Sequence, residues 1–383
     1  MPKEYDIAII GGGLVGCLIS LILAKKGNSI CLLEKNAFKQ VITDKYIPLS
    51  LTINSINFLK KNKIWNEKIF KSNQISELTI KLFNSFNTVH FSTNDLTDEH
   101  FMGSIIDKTS FLSHLRDLCV QNKDIEIFDD TEVSIENTSS PFKLSSSQES
   151  SRFICKHLVV TDGANSEVGK KLDFKSIYVN YKQTSYMFNI DHDTALNEAF
   201  QIFTNKGIFA ILPCGNKSIS IVASIYNKYI DYFNFESEDS DIRLLERELS
   251  PYVDGIKNPK LVYKYPLKTS RLSSWSKDNI ICLGNSSQLL HPFGAQGFNF
   301  SIECIKQIDL CDGLLFKDGK LNSQIFSRIE SKRNILLKSI DFVSSALMRK
   351  NIFPSIPSII FSKTMNLSST LRKSFLKSIL GLS

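Results

Sequence analysis

The chain has 383 residues, enough for two domains or for one domain with a large insertion, and 42% apolar with 22% charged residues excludes a disordered protein. Eight scattered cysteines with no C-x-x-C pair exclude a disulfide framework and a zinc site, and fit a reducing compartment. The net charge of +7 is concentrated after Asp341, which argues against a nucleic-acid groove spread over the body.

The N-terminal segment "YDIAIIGGGLVGCLISLILAKKGNSICLLEKN" is the most informative. Ile7 to Ile10 predicts a short strand that runs into Gly11-Gly12-Gly13-Leu14-Val15-Gly16. A helix is expected through Leu18, Leu21 and Ala24, and a second strand over Ser29 to Leu33 ends at Glu34. Each part has a physical task in holding a dinucleotide. Gly11 allows the tight turn, Gly13 lets the backbone touch a pyrophosphate, and Gly16 lets the helix pack close on the strand. The helix N-terminus offers free N–H groups to phosphates, and Glu34 can accept hydrogen bonds from a ribose diol. An acid there should also reject a phosphorylated ribose.

Further along, Leu78, Ile80 and Leu82 alternate with Thr79 and Lys81, and Ile219, Ile221 and Ala223 alternate with Ser220 and Val222. Both read as half-buried strands, with a turn at Cys214-Gly215-Asn216-Lys217 before the second. Between them, "LVVTDGANSEVGKKL" predicts a strand, the loop Asp162-Gly163-Ala164-Asn165-Ser166 and a helix. Asn279 to Leu283 reads as a buried strand, and "GNSSQLLHPFGAQGFNFS", Gly284 to Ser301, leads into a helix over Ile302 to Ile308. A loop so poor in charge and so rich in glycine suits a flat ring or an anion lying on main-chain atoms. His291, before Pro292, reads as a proton relay or as a histidine held by backbone. His90, His100, His114, His157 and His192 form no metal-ligand spacing, so no metal is expected. Cys304 and Cys311 are expected to be core thiols on one helix face.

In the C-terminal tail, Leu371, Phe375, Leu376, Ile379 and Leu382 share a helical face, with Arg372, Lys373 and Lys377 at its flanks and Ser368 or Ser369 as cap. With Arg349, Lys350 and Lys363 these are six basic residues and no acid. Such a helix either lies on an anionic membrane surface or packs on the protein. No run reaches ~18 apolar residues, so no transmembrane helix is expected. The first residues enter structure at once, which predicts no signal peptide and a cytoplasmic protein, peripheral to the membrane if the tail binds lipid.

The three glycine-bearing segments, in this order and spacing, resemble the single-component FAD-dependent aromatic hydroxylases. The likeness covers roughly residues 4 to 345. Within that superfamily the chain looks most like the ubiquinone-biosynthesis flavin hydroxylases, in particular the branch acting on 2-polyprenyl-6-methoxyphenol, which also carries Asn and Gln in "GNSSQ…HP". The resemblance implies an α/β fold: a Rossmann-type FAD-binding domain from residues 1–75, 100–175 and 268–345, an inserted mixed-sheet substrate domain from 76–99 and 176–267, and a basic helical tail over 346–383. It implies FAD as cofactor, NAD(P)H or another electron donor, and a polyprenylated phenol and O2 as substrates. Other ubiquinone-biosynthesis proteins are implied as partners, with no nucleic acid.

By position, the resemblance places Asn285 on the ribityl chain and Pro292 against the reactive side of the isoalloxazine. The backbone of Gly294, Ala295, Gly297, Phe298 and Asn299 would lie at the pyrimidine end of that ring. Asp162 and Gly163 match the family's Asp-Gly contact with FAD. Lys45 stands where an arginine usually lies near the FAD phosphates, and keeps the charge without the bidentate fork. Gly169 replaces an arginine of the Asp-Gly segment, which removes a docking group for the nicotinamide coenzyme. No catalytic base is identified. A flavin reductase or dehydrogenase on the same scaffold, and a non-catalytic FAD-binding subunit, remain the alternatives.

Overall fold

The computed structural model describes residues 2–39, 45–67, 70, 73–82, 88–96, 99–146, 152–192, 196–215, 217–233, 235, 238–250, 252–253, 257–311, 314–348 and 355–382. Asn216 of the expected turn, and Arg349 and Lys350 of the tail, lie outside these residues, as does the side chain of Ile379.

The first strand, β1 (Lys3–Ile10), is the middle of a sheet that is parallel through its centre. It pairs with β2 (Ile30–Leu33) on one side and with Arg152–Val160 on the other; Ile125–Phe128 and Ile280–Cys282 extend the parallel order outward. A central parallel strand is covered on both faces, which is why the run Ile7-Ala8-Ile9-Ile10 is apolar without alternation. Ile7 and Ile9 face a core shared with α1 (Leu14–Lys25), with the helix Lys108–Gln121 and with Gln296–Asp309. Ala8 and Ile10 face a second core of Phe142, Leu144, Phe153, Leu158 and Val160.

A second, eight-stranded sheet stands beside the first. Its order is Gln288–Leu289, Lys257–Leu272, Ser176–Asp191, Ser218–Tyr226, Gly207–Gly215, Glu198–Phe203, Glu77–Leu82 and Thr88–Ser92. All pairs are antiparallel except Glu198–Phe203 with Glu77–Leu82, so the sheet is mixed. One face carries Tyr186, Phe188, Ile190, Phe209, Ile211, Ile219, Ile221 and Ala223, packed on Phe233, Leu245 and Leu249. The period of two then puts Ser185, Met187, Asn189, Ser220, Val222 and Ser224 on the other face. A three-stranded sheet of Pro48–Thr52, Gly103–Asp107 and Asn73–Ile75 completes the frame.

Two expectations are sharpened. Glu77–Leu82 is a half-buried strand, as its alternation suggests, but its most buried residue is Thr79, with its hydroxyl against His90 Nδ1 at 2.9 Å and Glu198 Oε1 at 2.5 Å. Leu78 and Ile80 on the opposite face are partly buried by other elements, among them the tail. The tail itself does not turn its apolar face to lipid. Helices Ser355–Leu367 and Ser369–Leu380 seal the edge strand Thr88–Ser92, with Leu376 and Leu380 buried against Ile53, Val89, Phe91, Leu96 and Met102. Phe375 stacks on Phe91 at 5.8 Å, and Arg372 donates from Nε to buried Asp95 at 2.9 Å. The helix is capped by Ser368, whose hydroxyl accepts from Leu371 N. The long helix Ser323–Met348 also runs through the expected start of the tail at 346. Among the described residues no helix is long and apolar enough to cross a membrane.

Leu376 has no exposed surface whereas Leu371, earlier in the same helix, is 48% exposed. Leu376→Ala should therefore cost about 2–5 kcal/mol in denaturant unfolding, and Leu371→Ala less than about 0.5 kcal/mol. Equal effects would detach this helix from the core.

Candidate active site

The site begins where β1 ends. Gly11 has φ +108°, and a Cβ there would lie 2.6 Å from the Thr161 carbonyl oxygen. A Cβ on Gly16 would lie 1.8 Å from Gly11 O, so α1 crosses the strand end in main-chain contact. Gly13, by contrast, faces open space: no atom lies within 4 Å of its ideal Cβ position. It caps α1 without a side-chain hydrogen bond, and the first turn holds no acid. The first N–H groups of the helix and its positive end are thus directed at an unfilled space.

Glu34 lies inside this loop rather than beyond it. Its Oε2 accepts from Gly12 N at 2.6 Å, and its Oε1 accepts from Asn36 N at 3.0 Å and Nδ2 at 3.1 Å. From the other side, buried Arg116 donates from Nε to Gly12 O at 3.2 Å and from Nη1 to Phe38 O at 2.8 Å, with its guanidinium over the Phe38 ring. Sequence reasoning missed Arg116. A signal existed: Phe111, Leu112, Leu115, Arg116 and Cys119 form the buried stripe of one helix, and an arginine on such a stripe needs a buried acceptor.

Asp162 follows the strand Arg152–Val160. Its Oδ2 accepts from Val168 N at 3.3 Å, whereas Oδ1 is buried with no hydrogen-bond partner among the described residues. Burial raises its carboxyl above the ordinary carboxylate range. Gly163, at φ +94°, again has open space at its Cβ position. Ser166 caps the following helix by accepting from Gly169 N.

The third segment closes the other end. Gly284, at φ +68°, touches Val15 of α1, and Asn285 beside it is exposed. His291 is buried, with Nε2 2.9 Å from Gln183 Oε1 and its ring edge-on to Tyr181. Gly294 N donates to Gln201 Oε1 at 3.3 Å. Ala295 holds φ +53°, a left-handed conformation that costs an alanine energy and is retained here at the start of Gln296–Asp309. Asn299 uses its whole amide internally: Oδ1 accepts from Thr52 N and Ser55 Oγ, and Nδ2 donates to Ser50 O and Ala295 O. Phe298 turns its ring edge to Phe111, away from the loop. Gly297 is open at its Cβ position, and the Gln296 amide folds back to donate from Nε2 to Gly294 O at 3.0 Å. Lys45 is exposed, next to Tyr46, whose carbonyl accepts from Asn189 Nδ2.

Two uncapped helix starts, an orphaned carboxylate oxygen and open ground over Gly13, Gly163 and Gly297 fit an elongated dinucleotide whose far end is a flat ring. The fold and site define an FAD-binding flavoprotein of the aromatic-hydroxylase type. Residues 4–308 match the FAD binding domain family, and the chain belongs to that family: it is an FAD-dependent monooxygenase. A mitochondrial ubiquinone biosynthesis monooxygenase COQ6 of Dictyostelium discoideum is 24% identical over 430 aligned positions, covering 91% of this chain and 86% of the relative. Kynurenine 3-monooxygenase of Christiangramia forsetii is 23% identical, covering 81% of this chain and 73% of the relative. Among solved structures, p-nitrophenol 4-monooxygenase PnpA of Pseudomonas putida superposes with TM-score 0.75 at 13% identity over 99% of both chains. PqsL of Pseudomonas aeruginosa gives 0.71 at 15% identity over 90% of this chain and 96% of its own.

Gly13→Asp puts a carboxylate into the space before the helix N-terminus, and should give a folded, colourless protein; retained stoichiometric flavin would remove Gly13 from the site. Burial pushes the His291 pKa down to about 4, so the unfolded chain takes up its proton first. Stability should fall as pH drops from about 6.5 to about 4, by about 3 kcal/mol from this group, and the slope should be shallower by that share in His291→Gln.

Proposed function

We propose that the protein hydroxylates a polyprenylated phenol in ubiquinone biosynthesis. The observation that carries this reading is the sheet face opposite the His291–Ala295 loop. Three contacts orient it: Gln183 to His291, Gln201 to Gly294 N, and Asn189 to Tyr46 O. Its side chains are short or apolar, namely Ser185, Met187, Ala210, Leu212, Ser220 and Val222. Within it Ser185 Oγ and Asn189 Oδ1 are buried without a hydrogen-bond partner among the described residues. Buried polar atoms left unpaired in this way call for a guest. A phenol suits them: its O–H can donate to Asn189 Oδ1 while its ring lies on the apolar residues between.

In this reading residues 1–75, 100–175 and 268–345 carry the flavin, and 76–99 with 176–267 carry the substrate. Gly11, Gly13, Gly16, Glu34, Lys45, Asp162 and Gly163 hold the adenosine and pyrophosphate portion. Asn285, Pro292, Gly294, Ala295, Gly297, Phe298 and Asn299 shape the place of the ring, largely through main chain. Bound FAD supplies electron transfer and oxygen activation. The chain's own residues orient the phenol, and the sheet and loop exclude water from between them. The helix start at Gln296 directs N–H groups to where negative charge collects. The COQ6 likeness over 91% of the chain supports the link to ubiquinone biosynthesis.

Purified holoprotein supplied with a reductant, labelled O2 and a prenylated phenol should incorporate one labelled oxygen per product. Flavin reduction without incorporation would mark a reductase, and bound FAD without turnover a non-catalytic subunit. Asn189→Leu should keep FAD and lower kcat/KM about tenfold, the worth of one buried hydrogen bond. An unchanged kcat/KM would remove Asn189 from the substrate site.

A further inference from the structure

The strands Ser176–Asp191 and Lys257–Leu272 form a ribbon of 16 residues each, and its outer part is unusual in what it leaves in water. Ile177, Tyr178, Val179, Tyr263 and Tyr265 are all exposed, Tyr178 by 66%. Tyr263, Lys264, Tyr265 and Pro266 are exposed in succession, so both faces of the strand are uncovered there. It is also a sheet edge, since Gln288–Leu289 pairs only with Ser270 and Arg271. Around the aromatics stand the exposed lysines Lys175, Lys182, Lys260, Lys264 and Lys268. Acids occur only at the ribbon's ends, Asp173 and Asp191. The acidic helix Glu238–Leu249 packs on the face of Tyr186 and Phe188, which also carries Lys264, and so lies opposite the face of Tyr263 and Tyr265.

We infer that this ribbon is the surface on which the protein rests against an anionic lipid bilayer. Tyrosine belongs in a headgroup layer, where its ring is sheltered and its hydroxyl stays wet. Lysines reach past such rings on long apolar stems and hold their charge at acidic headgroups. A protein partner fits this composition less well. Lysine is depleted in protein interfaces, and an edge bearing Lys264 and Pro266 resists addition of a partner strand. Five lysines without a bidentate arginine pattern also suit a diffuse field of charge more than a defined anionic ligand.

Register links this surface to the candidate site. Tyr265 lies opposite Ser185 and Tyr263 opposite Met187, so these two exposed tyrosines continue the face on which Ser185 and Asn189 are left unpaired. A substrate with a lipid tail would enter across this edge. That use of the surface rests on the substrate proposed above; bilayer binding itself does not.

The test uses full-length FAD-loaded protein sedimented with vesicles of phosphatidylcholine, alone or mixed with phosphatidylglycerol. Binding to the mixed vesicles, reversed by salt, is expected. Combining Lys182→Gln, Lys260→Gln and Lys268→Gln should lower partitioning roughly a hundredfold, about fivefold per lysine, with flavin content and unfolding midpoint unchanged. Lys373→Gln with Lys377→Gln in the tail should bind as the wild type does. The proposal is overturned if the wild type ignores the mixed vesicles, if the triple variant binds as well as the wild type, or if the tail variant loses binding. A wild type that ignores vesicles yet retains polyglutamate assigns the ribbon to an acidic protein instead. These readouts need no turnover, so they fail separately from the assigned reaction.

Discussion

Both main-chain polar groups of Gly12 are held by buried charged side chains: its N–H by Glu34, its carbonyl by Arg116. The rest of the site depends on this clamp. It fixes the loop between β1 and α1, and so the position of Gly13 and the aim of the helix start behind it. Charge-assisted hydrogen bonds to a buried peptide are strong, and losing either partner leaves a charge and an amide unpaired together. Contact between Gly16 and Gly11 O then leaves α1 one place to sit. A binding surface made of main-chain N–H groups is only as well formed as the loop that presents them.

At the other end of the site the work is done by amides. Asn299 joins the loop to Pro48–Thr52, while Gln183 and Gln201 join it to the second sheet. An amide can donate and accept at once without carrying charge, so it can tie two elements together beside a flat ring without imposing a fixed field on it. The neutral state of buried His291 fits the same design.

Much of the first half of the site could be read in the sequence because its chemistry is local. A strand, three spaced glycines, a helix and an acid constrain one another within Ile7 to Glu34. What escaped was set by distant partners. Arg116 reads as an ordinary helical charge until Gly12, 104 residues away, is seen beneath it. Gln183 and Gln201 sit in strands whose pattern gives their face but not what faces them. The tail shows the same limit: its periodicity marks an apolar stripe, yet a lipid surface and a strand such as Val89 to Phe91 ask for the same stripe. Alternation in Glu77–Leu82 gave a half-buried strand correctly, but not that Thr79 would be its most buried residue, since both faces are partly covered by distant elements.

The cysteines carry a consequence for durability. All eight are free, and all but the half-buried Cys214 are buried. Burial pushes the thiols of Cys31, Cys155, Cys214, Cys282 and Cys304 upward, Cys155 and Cys214 to about 12. The thiolate is the form that oxidants attack, so these sulfurs are nearly inert at neutral pH. A monooxygenase that spends electrons without forming product releases hydrogen peroxide beside its own core. The five thiols that burial keeps protonated are oxidisable sulfurs shielded from such idle cycles.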